Sequence, residues 1–183
     1  MIKGKAPVVE ELALGSVETP LGTVWVATSE AGVRVVTVPA ASEGDCLAIA
    51  SSKGRAICRQ DLPSDQLAQV LDELRRYFAG MLRVFTTPLD LRGTPFQRRV
   101  WAAVAAVPYG ETVTYREIAE RIGAPNAYRA VGAANGANPA AIIVPCHRII
   151  GSEGKLHGYG GGLHQKRALL DLEAAHASDA ARA

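Results

Sequence analysis

The chain has 183 residues, 48% hydrophobic and 21% charged, with a net charge of +2. That is ample for one or two packed domains but advertises no large basic surface, and no stretch approaches the ~20 apolar residues of a membrane span. Three cysteines, Cys46, Cys58 and Cys146, have no paired spacing, and Lys3 and Lys5 precede no signal-like apolar core, so a reducing, cytoplasmic setting is expected.

The first half reads as a small α/β unit. Leu12 to Glu18, Thr23 to Thr28 and Val33 to Val38 are β-branched runs separated by Pro20-Leu21-Gly22 and Glu30-Ala31-Gly32, which predicts an antiparallel hairpin series. Ala40 to Pro63 is poorly patterned and is expected to hold a loop with a short helix. From the Ser64 cap to Gly80, Leu67, Val70, Leu71, Leu74 and Phe78 recur at three- and four-residue steps, so a helix can lay one apolar stripe on the sheet. Val84 to Arg92 reads as an extended linker, with Thr86-Thr87-Pro88 opposing a helix, and a boundary falls near Gly93.

Thr94-Pro95-Phe96-Gln97 is a capping box with proline at the first helical position, and Phe96, Val100, Trp101 and Val104 form one apolar face with Arg98 and Arg99 outside. After Pro108-Tyr109-Gly110, Thr114 and Glu117 make a second capping box. Tyr115, Ile118, Ala119 and Ile122 then share one side of a helix that Gly123 ends. Asn126 is placed to cap a further helix to about Gly136, giving a helix-turn-helix arrangement. That last helix carries Ala127, Ala130, Gly132, Ala133, Ala134 and Gly136. Such small residues either permit tight helix packing or let the backbone approach a DNA minor groove.

Ile142-Ile143-Val144 reads as a strand stopped by Pro145, and the thiol of Cys146, the imidazole of His147 and the guanidinium of Arg148 follow at once. Cationic neighbours can pull a thiol below its usual pKa and supply thiolate. Residues 94–173 carry nine Lys/Arg and six Asp/Glu, a net +3, against ten and eleven, a net −1, in residues 1–93. The positive excess therefore sits with the reactive stretch, where a polyanion would dock.

Pro145-Cys146-His147-Arg148, with Arg129-Ala130-Val131-Gly132, Asn138-Pro139 and Gly158-Tyr159-Gly160-Gly161-Gly162, resembles the O6-alkylguanine-DNA alkyltransferase family, closely from about Gly93 to Glu173. The resemblance implies an α+β protein. A ribonuclease-H-like support domain over 1–93 precedes a mainly helical, winged-helix-like domain over 94–175 with the helix-turn-helix, and 176–183 is a frayed tail. It also implies double-stranded DNA containing O6-alkylguanine as partner, acted on by a monomer with no metal and no cofactor; some relatives carry a structural zinc that this chain lacks the ligands for. Cooperative assembly on DNA is left open.

By resemblance, Cys146 is the alkyl acceptor, His147 its base and Glu173 the group that orients His147, while Tyr115 donates to N3 of a flipped guanine. Arg129 is the intercalating finger, although a phosphate clamp or a plain surface residue would carry the same pattern, and Tyr115, Ala130, Gly132, Ala133 and Asn135 join it against DNA. Asn138, Val144, Pro145, Arg148, Tyr159 and Gly160 shape the pocket. The expected reaction is an irreversible, single-turnover transfer to Cys146 after base flipping. Three departures, Tyr128, Ala141 and His157, lead to the expectation that O6-benzyl adducts react poorly relative to methyl. The helix from Leu163 to Glu173 is expected to bury Leu169, Leu170 and Leu172 and to face Lys166 and Arg167 outward. A transcription regulator would explain the two helices but has no use for the thiol, and a cysteine hydrolase lacks its local signatures. A damage-binding protein of this fold without chemistry is disfavoured by the presence of Cys146.

Overall fold

The structure, a computed structural model, describes residues 9–52 and 56–177. Lys3 and Lys5 and the end of the Ala-rich tail lie outside them. The architecture is mixed α+β, with a small sheet unit first and a helical region after it.

The three β-branched runs form β1 (Glu10–Val17), β2 (Val24–Ser29) and β3 (Gly32–Val36). They pair antiparallel, with Val17 opposite Val24 and Val26 opposite Val36. In the stretch expected to be a loop with a short helix, the helix is α1 (Glu43–Ser51), closed by a Ser42–Asp45 capping box. A strand missed in the sequence, β4 (Ala56–Arg59), then lies parallel beside β1, giving the order β3-β2-β1-β4. It is four residues long with Ile57 exposed, too short for alternation to show.

α1 covers the sheet face bearing Leu12, Leu14, Ala27 and Val35. α2 (Asp65–Phe78), capped by Ser64 accepting from Leu67 N, covers the other face. There Gly15 matters, since a Cβ would sit 3.2 Å from both Leu67 and Leu71.

The segment after α2 runs along the free edge of β3. Pro88 O accepts from Val33 N at 2.8 Å and Asp90 N donates to Val33 O at 2.8 Å. Glu73 of α2 accepts from the amides of Thr86 and Thr87 at 2.9 and 3.2 Å. The extended linker is therefore fastened to the sheet rather than spanning free space.

α3 (Pro95–Ala105) starts at the Thr94–Gln97 box and buries Val100, Trp101 and Val104. Trp101 Nε1 donates to Ala134 O at 2.8 Å, which fixes the partner helix behind it. α4 (Tyr115–Arg121) starts at the Thr114–Glu117 box. α5 (Tyr128–Gly136) is not capped by Asn126: its N-cap is Ala127, with no side-chain bond. Pro125-Asn126 instead forms the middle of a turn in which Ala127 N donates to Ala124 O at 2.9 Å, a position that suits proline then asparagine.

Two short strands, β5 (Val113–Thr114) and β6 (Ile149–Ile150), pair in parallel. α6 (Leu163–Ala177) continues past the expected end at Glu173; it buries Leu169, while Leu170 and Leu172 are half-buried. One apolar cluster joins Val24, Val33 and Leu74 of the sheet unit to Trp101, Val131, Ile142 and Leu169 of the helical region.

Gly32 tests the fastening. Its φ is +141°, and an added Cβ would lie 2.3 Å from Pro88 O. Gly32→Ala is expected to lower stability by about 1–3 kcal/mol from strain, more with the clash, read by urea unfolding; an unchanged midpoint would show that the segment is not held there.

Candidate active site

The apolar run before Cys146 is not a strand. Ile142 has φ +72°, a left-handed conformation rare for a β-branched residue, and Val144 N turns back to Ala140 O at 2.9 Å. The run is apolar because it is buried, which is why it mimicked a strand: Ile142 and Val144 are each 1% exposed. Pro145, at φ −79° and ψ +66°, is the centre of an inverse γ-turn in which Cys146 N donates to Val144 O at 2.7 Å. A single 3-10 turn, Cys146–Arg148, follows and leads into β6.

Two braces hold this segment. Asn138 Nδ2 donates to Val144 O at 2.8 Å, and its Oδ1 accepts from Ala140 N at 3.0 Å. From the other side β3 bonds it directly: Val36 N donates to Pro139 O and Ala141 N donates to Val36 O, both at 2.9 Å.

His147 and Arg148 turn away from the thiol toward Glu173, which is fully buried. Glu173 Oε1 meets His147 Nε2 at 2.8 Å and accepts from Arg148 Nη2 at 2.9 Å and from Tyr77 Oη at 2.7 Å. Its Oε2 accepts from Arg148 Nε at 2.9 Å and from Gly110 N at 3.0 Å. Burial alone would raise this carboxyl, but the bonds from His147 and Arg148 outweigh it and bring it down to about 2. Burial lowers His147, so its imidazole is neutral near pH 7, and its Nδ1 has no partner among the described residues. Tyr77 was missed in the sequence. Its one signal was its place on α2, three residues after Leu74 in the apolar stripe.

The electrostatics of Cys146 differ from the expectation. Burial pushes its thiol up, and the groups opposing this are the Asn138 side chain, the charge of Lys166 and the amides of Cys146 and His147. Of the two adjacent cationic candidates, one is neutral and the other is committed to Glu173. Lys166, expected to face outward, is fully buried, with Nζ donating to Ile149 O at 2.5 Å and His157 O at 2.9 Å. Burial lowers it to about 8. It was misread because Lys is almost never fully buried; two backbone carbonyls here replace its hydration. Arg167 is exposed, as expected.

Cys146 opens on a cavity of about 720 Å³ whose walls come from both halves, including Tyr115, Gly132, Asn138, Tyr159 and Gly160 from the helical region and Val38 to Ala41 from the sheet unit. Burial, then the charge of Cys146, raises Tyr115, so its hydroxyl stays a donor. Tyr159 is likewise held well up, and its hydroxyl has no partner among the described residues.

On α5, Arg129, Ala130 and Ala133 are exposed, but Asn135 is 5% exposed and its Nδ2 donates to Cys146 O at 3.4 Å. Asn135 thus belongs to the cavity wall rather than to the outer face, because α5 turns it inward beside the buried Ala134. His157 does not line the cavity; its ring lies over Gly151, where an added Cβ would be 2.5 Å away. Ala141 does line it. The expectation about benzyl adducts therefore loses the His157 ground. Among the described residues, no group of three His, Cys, Asp or Glu is placed to hold a metal, and no helix is long and apolar enough to cross a membrane.

Comparison with known proteins is consistent along the chain. The family model for the 6-O-methylguanine DNA methyltransferase DNA-binding domain matches residues 95–175, and that for the ribonuclease-like domain matches residues 12–91. Methylated-DNA--protein-cysteine methyltransferase of Mycobacterium tuberculosis (strain H37Rv) is 64% identical over 107 residues, 58% of this chain. That match spans 65% of the relative's length. The protein of the same name from Methanosarcina barkeri is 44% identical over 163 residues, 86% of this chain and 94% of the relative. The crystal structure of M. tuberculosis OGT in complex with DNA is similar with a TM-score of 0.76 at 44% identity, over 90% of this chain and 94% of that one.

The buried carboxylate sets a pH test. The folded carboxyl of Glu173 lies near 2, below its unfolded value of ~4.3. Its contribution is therefore complete above ~4.3 and lost as pH falls toward 2. Glu173→Gln is expected to cost roughly 3–5 kcal/mol at pH 7 by leaving the Arg148 guanidinium buried without its carboxylate partner, and to flatten the acid limb of stability measured by urea unfolding; an unaltered limb would contradict the assignment.

Proposed function

Because the chain belongs to the 6-O-methylguanine DNA methyltransferase family, we propose that it repairs DNA by moving the alkyl group of an O6-alkylguanine onto its own Cys146. The observation that carries this reading is a cavity with a buried, protonated thiol on its wall, next in sequence to a neutral imidazole whose far nitrogen is held by an ionised carboxylate.

The guanine must leave the duplex to reach Sγ, at a cost of a few kcal/mol. Arg129, at the exposed front of α5, enters the space it leaves, and Ala130, Gly132 and Ala133 let the helix backbone approach the minor groove. His147 Nδ1, directly or across one water, takes the thiol proton, and Glu173 and Arg148 fix the imidazole orientation. The thiolate attacks the sp³ carbon in line. The S–C bond forms as the C–O6 bond breaks, and the electron pair leaves on guanine. Tyr115 donates to N3 and the backbone at Tyr159 and Gly160 faces O6, spreading the charge that develops there. Lys166 favours the thiolate in the interval.

The product is a thioether, which water does not cleave under these conditions, so each molecule acts once. Residues 1–93 serve as the support unit and residues 94–175 carry the chemistry, but the support is direct. Val36 holds the segment before Cys146, and Tyr77 bonds the carboxylate behind His147. Holding the thiol protonated until a base arrives also limits its adventitious oxidation.

Intact-protein and peptide mass spectrometry after incubation with a duplex carrying one O6-methylguanine is expected to show one methyl, on the Cys146 peptide, with guanine restored, and none for Cys146→Ala. Lesion-selective binding without a mass change would replace the transfer reading with that of a damage sensor.

A further inference from the structure

The front of the helix-turn-helix carries two side chains, Tyr128 and Arg116, to which the alkyl-transfer reading gives no role. Tyr128, the first residue of α5, is 40% exposed. The guanidinium carbon of Arg116, from α4, lies 5.9 Å from its ring centroid, and that of Arg129 lies 5.8 Å from the same centroid. Both arginines are exposed, and among the described residues neither has an ion pair or a hydrogen bond.

Two like charges drawn to one exposed ring repel each other, and among the described residues no carboxylate lies within ion-pair distance of either; the ring's negative face is the attraction that gathers them. Two exposed guanidinium groups without a direct ion pair suit a polyanion. Its position fits the same partner. Tyr128 stands one helical turn before Gly132, which lines the cavity, so the two share a helix face; Arg116 follows Tyr115, which lines it from α4.

We propose that Tyr128 is a positioning residue for the DNA-dependent step: its ring gathers Arg116 and Arg129 into a two-arginine clamp at the cavity rim. Arg116 takes a backbone phosphate while Arg129 is held extended for entry into the duplex. This rests on the alkyl-transfer reading for its substrate, but the clamp itself is a property of DNA engagement and is measured apart from the chemistry. Free nucleobase needs no extrusion, so it separates the two.

The experiment compares the wild type with Tyr128→Ala, Tyr128→Leu, Tyr128→Phe and Arg116→Ala. Methyl transfer is measured from duplex O6-methylguanine and from the O6-methylguanine nucleobase, and binding of an undamaged duplex is followed by fluorescence anisotropy over a salt series. Loss of exposed cation–π contacts is expected to slow transfer from the duplex about fivefold in Tyr128→Ala and Tyr128→Leu. Their nucleobase rates should match the wild type, and Tyr128→Phe should match it in both. Arg116→Ala is expected to weaken binding and to reduce the salt slope by about one. Equal duplex rates for Tyr128→Ala and the wild type, full activity in Tyr128→Leu, or duplex and nucleobase rates falling together would overturn the proposal. Should the wild type transfer no methyl at all, the alkyl-transfer reading fails, and the clamp then stands or falls on whether Tyr128→Ala and Arg116→Ala weaken duplex binding.

Discussion

The ionised carboxylate of Glu173, sealed from solvent, draws its donors from segments far apart in the sequence: Tyr77 of α2, the amide of Gly110, and the paired His147 and Arg148 beside Cys146. A buried carboxylate is tolerable only when such bonds replace its hydration. The geometry of the site follows from that demand. Arg148 supplies two of the donors and is itself held by Val107 O at 2.6 Å, so the 3-10 turn has no freedom to reorient. With His147 tied at Nε2, its Nδ1 is left as the basic nitrogen. The same carboxylate thus stabilises the fold and selects the tautomer.

Much of this was legible in the sequence where chemistry is local. Capping boxes at Thr94–Gln97 and Thr114–Glu117 placed two helices, and β-branched runs placed three strands, because caps and alternation act within a few residues. The contact of His147 with Glu173 beside Cys146 was legible through a resemblance to a family rather than through spacing. What escaped was non-local. β4 exists because β1 offers an edge to pair with, Lys166 is buried because two carbonyls from outside α6 receive it, and Asn135 turns inward because α3 packs behind α5 through Trp101. Ile142 reads as strand from its side chain and is a turn because Ala140 and Ala141 are fixed at both ends. None of these is encoded in a short window.

The segment before Cys146 also depends on a strand edge. β3 gives one part of its open edge to the segment around Leu89 and another to Pro139 and Ala141. An exposed edge is normally a site for unwanted pairing; here both stretches are consumed internally. The loop that presents Cys146 gains backbone bonds to a sheet while remaining a loop, which combines a rigid anchor with the tight γ-turn that aims the thiol.

The apolar cluster that passes without interruption from Val24 and Leu74 to Trp101 and Leu169 has a thermodynamic corollary. Two units that share one interior do not melt separately: exposing either strips apolar contacts from the other. Unfolding is therefore expected to be a single cooperative event, with calorimetric and van't Hoff enthalpies in agreement. The sequence has two parts, but one apolar interior spans them.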